Sequence, residues 1–69
     1  MELLSVVAIL KDMPEEGVVR GQVGSLVEGL APGVWLVEFS DKMGRTCALV
    51  DVKEEEMVAL QYEPLHQVA

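Results

Sequence analysis

Arg20-Gly21-Gln22-Val23-Gly24-Ser25-Leu26-Val27-Glu28-Gly29-Leu30, followed through Pro32-Gly33 by Val34-Trp35-Leu36-Val37-Glu38-Phe39, decides the fold. It reads as a bent strand, a turn and a second strand, the opening hairpin of a small β-barrel. Gly21 and Gly24 interrupt a strand-like run, and glycine inside a strand marks a bend, a bulge or a close backbone approach. A sheet of few strands has to coil sharply to close on itself, and such glycines let it do so. Pro32-Gly33 supplies a turn, with proline preset for the first corner and glycine free to take positive φ at the second. Beyond it Trp35, Val37 and Phe39 alternate, share one face and are predicted to point into the core.

The rest of the chain fits around this hairpin. Leu3 to Leu10 is a continuous apolar run, β-branched in its middle, and reads as a strand buried on both sides over part of its length. Lys11 to Gly17 is polar, with Pro14 and Gly17, and reads as a loop, with Val18 and Val19 a short extended piece after it. Asp41-Lys42-Met43-Gly44 is a hairpin turn. From Arg45 to Val52 the pattern alternates again, with Thr46, Ala48, Val50 and Val52 on one side and Arg45, Cys47, Leu49 and Asp51 on the other. Lys53 to Glu56 is a charged corner expected to form one turn of 3₁₀ helix. Met57 to Tyr62 reads as the last strand, with Val58, Leu60 and Tyr62 on one face. The expected domain therefore spans residues 1–62, and 63–69 form a C-terminal tail.

Five or six antiparallel strands in this order, with a 3₁₀ or helical corner near 53–56, amount to an all-β, SH3-like barrel. Residues Gly21 to Glu28, Val34 to Phe39 and Gly44 to Val50 also resemble an uncharacterised family of small bacterial proteins, a domain of unknown function. Its pattern is a Gly-x-x-Gly-Thr-Val-Val-Glu bend, an aromatic-x-Val-Glu-Phe strand and a Gly-x-Thr-x-Ala strand. The resemblance covers about residues 4 to 60. Ser25 stands where the family often has Thr, Trp35 where it usually has Tyr, and Leu36 where a polar residue is commoner. The resemblance implies a barrel with no established activity. Some members lie beside toxin-like genes, which implies an antitoxin-like role.

Composition limits the function. A chain of 69 residues makes one domain. A domain of this size buries only about 60% of its unfolded surface, so its core is thin. The one cysteine excludes an intrachain disulfide, and no Cys/His cluster suggests a structural metal. Yet 51% of the residues are hydrophobic, more than one small barrel encloses, and association is the usual remedy. The net charge of −7 repels phosphate backbones. No apolar stretch approaches the ~20 residues that cross a membrane. The amino terminus lacks the basic region and cleavage site of a signal peptide, and a single free thiol fits a reducing cytoplasm.

The candidate chemistry is sparse. Cys47 reads as a buried or half-buried small hydrophobe, because a nucleophile needs an adjacent base and the one histidine, His66, lies in the tail. One imidazole makes no zinc site. Glu28 and Glu38 are placed to face each other across the Pro32-Gly33 hairpin, but a barrel this small rarely encloses a substrate. Glu54, Glu55 and Glu56 read as a solvated corner. Arg20 and Arg45 are expected to pair with Glu28, Glu38 or Asp51 across the sheet. No catalytic residue, cofactor or metal follows from these features.

Leu26, Leu30, Leu36, Leu49 and Met57 fall opposite the best core set and are expected to form an exposed interface patch. The sequence thus predicts a non-enzymatic protein-interaction module, self-associated as a dimer, with a second protein as a further partner. A nucleic-acid- or ribosome-associated barrel is the alternative. A small hydrolase with a site between subunits ranks last.

Overall fold

A computed structural model describes residues 1–60. The expected end of the last strand at Tyr62, the tail 63–69 and His66 lie outside the described residues. Five strands form one antiparallel sheet: β1 (Val6–Ile9), β2 (Val23–Ala31), β3 (Val34–Ser40), β4 (Thr46–Lys53) and β5 (Met57–Ala59), in the spatial order β4-β3-β2-β1-β5. Two 3₁₀ turns, Pro14–Glu16 and Glu54–Glu56, complete the described elements. The second occupies the charged corner where the sequence places it.

β2 is the strand shared by both halves of the sheet. Its first residues pair with β1, Val7 lying opposite Gly24, and most of its length pairs with β3. The bend has two physical sources. At Gly24 an added Cβ would sit 2.7 Å from Val37 Cγ1 and 2.8 Å from the Glu38 carbonyl oxygen, so only glycine lets β2 approach β3 this closely. Two register shifts follow, between Leu26 and Glu28 and between Gly29 and Ala31, each adding an unpaired residue that bends the strand. The Pro32-Gly33 turn forms as expected, with Gly33 at φ +76.

The connection from β4 to β5 shows how strongly the sheet is curled. Glu54 to Glu56 alone separate the two strands, yet these are its opposite edges. Four Cα steps reach at most ~14 Å. Strands at opposite edges of a flat five-stranded sheet would lie about 19 Å apart. The sheet therefore curls until its edges approach at this corner, although no β4–β5 pairing closes it.

The concave side holds the core. Val7 and Ile9 of β1, Leu26 of β2, Val37 and Phe39 of β3, and Val50 and Val52 of β4 are buried there. Met57 of β5 and Val18 join them. Val18 reaches the core because the loop folds back on itself: the Met13 N–H donates to the Val18 carbonyl at 2.7 Å and the Val18 N–H returns to Met13 at 3.1 Å.

Four expectations about burial change. Leu26 and Met57, expected outside, are core residues, because Leu26 lies opposite Val37 and Met57 opposite Ile9, and opposed residues share a face. Trp35 is half-buried at the margin of the core instead of central; its ring lies over Gly29, and its Nε1–H donates to Glu54 at 2.7 Å. Cys47 is exposed, the extra residue of the register shift where Ala48 and Thr46 lie opposite Phe39 and Ser40. In β1, Val6 and Ala8 are half-buried rather than enclosed on both sides.

Candidate interaction surfaces

The convex face of the sheet follows from the ladder. Val58 of β5 lies opposite Ala8 of β1, which lies opposite Val23 of β2, so one uninterrupted row of aliphatic side chains crosses three strands. Val23 is 44% exposed and Val58 45% exposed. Val6, two residues from Ala8, and the exposed Leu10 extend the row along the outward side of β1. The adjoining row runs Val6, Ser25, Glu38, Leu49, so two polar residues separate Val6 from the exposed Leu49. The apolar half of the convex face thus lies over β5, β1 and β2.

The expected patch is dispersed by this arrangement. Leu26 and Met57 are inside. Leu30 is exposed at the second register shift of β2. Leu36 is half-buried between Glu28 and Asp51, and Leu49 is exposed opposite Glu38. Leu36 and Leu49 do share a face on adjacent strands, but carboxylates alternate with them. The row Val58, Ala8, Val23 was missed because β5, β1 and β2 are remote in sequence and only their pairing registers align these residues.

The charged groups settle into local roles. Glu28 and Glu38 do not face each other: Glu28 lies opposite Leu36 and Glu38 opposite Ser25. The Thr46 hydroxyl donates to the Glu38 carboxylate. Arg45 pairs with Asp41 at 3.1 Å instead of reaching across the sheet. Asp41 Oδ1 also accepts the N–H groups of Arg45 at 2.9 Å and Met43 at 2.8 Å. The Arg45 backbone bond foremost, helped by that of Met43, holds the Asp41 carboxyl below its usual value. The Arg20 backbone N–H donates to Asp12 Oδ1 at 2.8 Å. The Cys47 thiol has only a long contact, 3.8 Å, to the Arg45 carbonyl, and no cluster with metal-ligand geometry occurs among the described residues.

A second surface lies along the outer edge of β4, which pairs with no further strand among the described residues. A groove of about 440 Å³ runs between the Lys11–Glu16 loop and Leu49–Asp51, with Met13 and Val50 among its lining residues. Asp12, Glu15, Glu16, Asp51 and Glu56 also line it, against Lys11 as the one cation. Lys11 is already engaged, its Nζ 2.7 Å from Glu56 Oε2. That hydrogen bond, with the Lys53 N–H on Oε1, holds the Glu56 carboxyl below its ordinary value, and the same bond raises the Lys11 ammonium above its own.

The chain belongs to a family described as a domain of unknown function, DUF4926, whose model matches residues 3–59. No curated protein and no solved structure is significantly similar to it.

Proposed function

We propose that this DUF4926 member is a non-enzymatic protein-interaction module that self-associates as a two-fold dimer through the apolar half of its convex face. The observation carrying this reading is the aliphatic row Val58, Ala8, Val23, flanked by Val6 and Leu10. Contiguous exposed apolar surface marks an interface, and a two-fold axis places the same patch on both subunits. A thin core without an intrachain disulfide gains stability from such contact. The carboxylates stand mainly on the other half of the face and at loops, where a dimer leaves them hydrated.

The strand order, the short 3₁₀ corner and the curled five-stranded sheet support placing the domain among SH3-like barrels. The acid excess supports a protein partner over nucleic acid. The exposed thiol of Cys47 supports residence in a reducing compartment such as the cytoplasm.

Sedimentation equilibrium at micromolar concentration tests the reading. The parent sediments at twice its 7.5 kDa chain mass, and Val23→Glu and Val58→Glu sediment as folded monomers. A monomeric parent, or a dimer indifferent to both substitutions, removes this face from the account.

A further inference from the structure

The geometry points to a second binding site: an extended, Lys/Arg-bearing segment of a partner protein adds to β4 as a sixth strand and lies in the groove beside it. Among the described residues, β4 is an eight-residue strand paired on one side only, with β3. Alternate residues of such a strand turn their backbone N–H and C=O groups outward. No other backbone partner is found for the middle of β4 among the described residues. Natural edges are usually blunted by proline, by shortness or by a bulge. β5, the other edge, is three residues long. β4 has no proline, and its one register shift falls at its start, beside Ser40 and Thr46. Cys47 is the extra residue of that shift, and the stretch beyond it, Ala48 to Asp51, is left as a regular template; strand addition is a recurrent way of recognising an extended peptide.

The groove supplies both room and sign. Its volume is within the range of about 300–1,000 Å³ typical of ligand sites. Met13, Leu49 and Val50 give it apolar contact, while Glu15, Glu16 and Asp51 face any added strand without a cation paired to them among the described residues. A second copy of this chain fits poorly, since edge-to-edge pairing would bring two acidic rims together, each on a chain of net charge −7. A basic segment gains main-chain hydrogen bonds from β4 and Coulombic contacts from the rim. This surface is separate from the aliphatic row on the convex face.

The probes are three synthetic decapeptides: alternating valine and lysine, alternating valine and glutamate, and the lysine peptide with alternate amides N-methylated. Titration followed by amide chemical shifts and hydrogen exchange gives the readout. The lysine peptide shifts the resonances of Ala48–Asp51 and Lys11–Glu16 and slows exchange of the outward amides of β4. N-methylation, or the double substitution Glu15→Lys with Glu16→Lys, weakens binding by about tenfold or more. Val23→Glu and Val58→Glu leave binding unchanged, so failure of the dimer face and failure of this site remain distinguishable. Absence of binding overturns the proposal. Equal binding of the N-methylated peptide reduces it to charge attraction, and equal binding of the glutamate peptide removes the acidic rim; either result defeats it. Concentration-dependent protection of the β4 edge without peptide would assign the edge to a second copy and likewise overturn it.

Discussion

Gly24 is the residue at which one added methyl group matters most. Its missing Cβ is the space between β2 and the Val37, Glu38 and Phe39 segment of β3. Gly24→Ala should cost about 1–3 kcal/mol in urea unfolding, the usual penalty of overpacking. Gly29 is the control: an added Cβ meets the Trp35 ring at 3.6 Å, an ordinary contact, so Gly29→Ala should stay within about 0.5 kcal/mol of the parent. Equal effects at both positions would contradict the close approach seen at Gly24. Leu4 takes φ +69, a conformation that disfavours a side chain, and is 76% exposed. Releasing that strain gains roughly 1–2 kcal/mol and the added chain entropy of glycine returns about 0.5–1, so Leu4→Gly should be modestly stabilising. At Cys47 the expectation is chemical. Its thiol stands exposed on β4, so a soluble thiol reagent should label it fully in the native protein, whereas a core cysteine would react only on unfolding.

Among the elements, the two turns that flank the sheet carry the acid dependence of stability. Asp41 and Glu56 both have carboxyl pKa values lowered by folding. The unfolded chain therefore takes up protons first, and the stabilisation present above the usual carboxylate range is lost as pH falls through the folded values. Lys11, raised by the same pair, adds stability below its ordinary value of 10.5 that is lost only at higher pH. Thermal melts from pH 6 down to pH 3 should show a falling midpoint, with a shallower fall in Asp41→Asn and Glu56→Gln; unchanged slopes would mean that these turns are immaterial to the titration. Trp35→Phe removes the hydrogen bond to Glu54 and should cost about 1 kcal/mol. The β3–β4 hairpin was legible because its alternation is nearly unbroken: Val37, Phe39, Val50 and Val52 are inside, and Cys47, Leu49 and Asp51 outside or near it. The turns at Pro32-Gly33 and Asp41–Gly44 were equally plain, since glycine takes positive φ in each. β2 and β5 were not. The two register shifts of β2 leave no mark in composition, and Met57 turns inward because β5 crosses to pair with β1, far away in the chain. The same non-local registers create the row Val58, Ala8, Val23 and the groove between the Lys11–Glu16 loop and β4, so neither surface could be read from any one segment.

For the whole molecule, the question is where the apolar excess goes. Hydrophobic residues make up 51% of the chain, and the sheet curls over a small core drawn from every strand. Of the exposed aliphatic residues, Leu10, Val23 and Val58 gather on the convex side of β5, β1 and β2, while others such as Leu4, Val19, Leu30 and Leu49 stand apart. Five acidic groups, Asp12, Glu15, Glu16, Asp51 and Glu56, gather elsewhere, along the β4 edge and its facing loop. This separation gives one small domain two surfaces of opposite character, one suited to its own copy and one to a basic strand. The first is the central claim, and isotope-filtered NOE spectroscopy on a mixture of ¹³C-labelled and unlabelled protein tests it most directly. The account predicts intermolecular contacts among the methyl groups of Val58, Ala8, Val23 and Val6. Contacts confined to Leu36 and Leu49, or none at concentrations where the protein is shown to be associated, would contradict it.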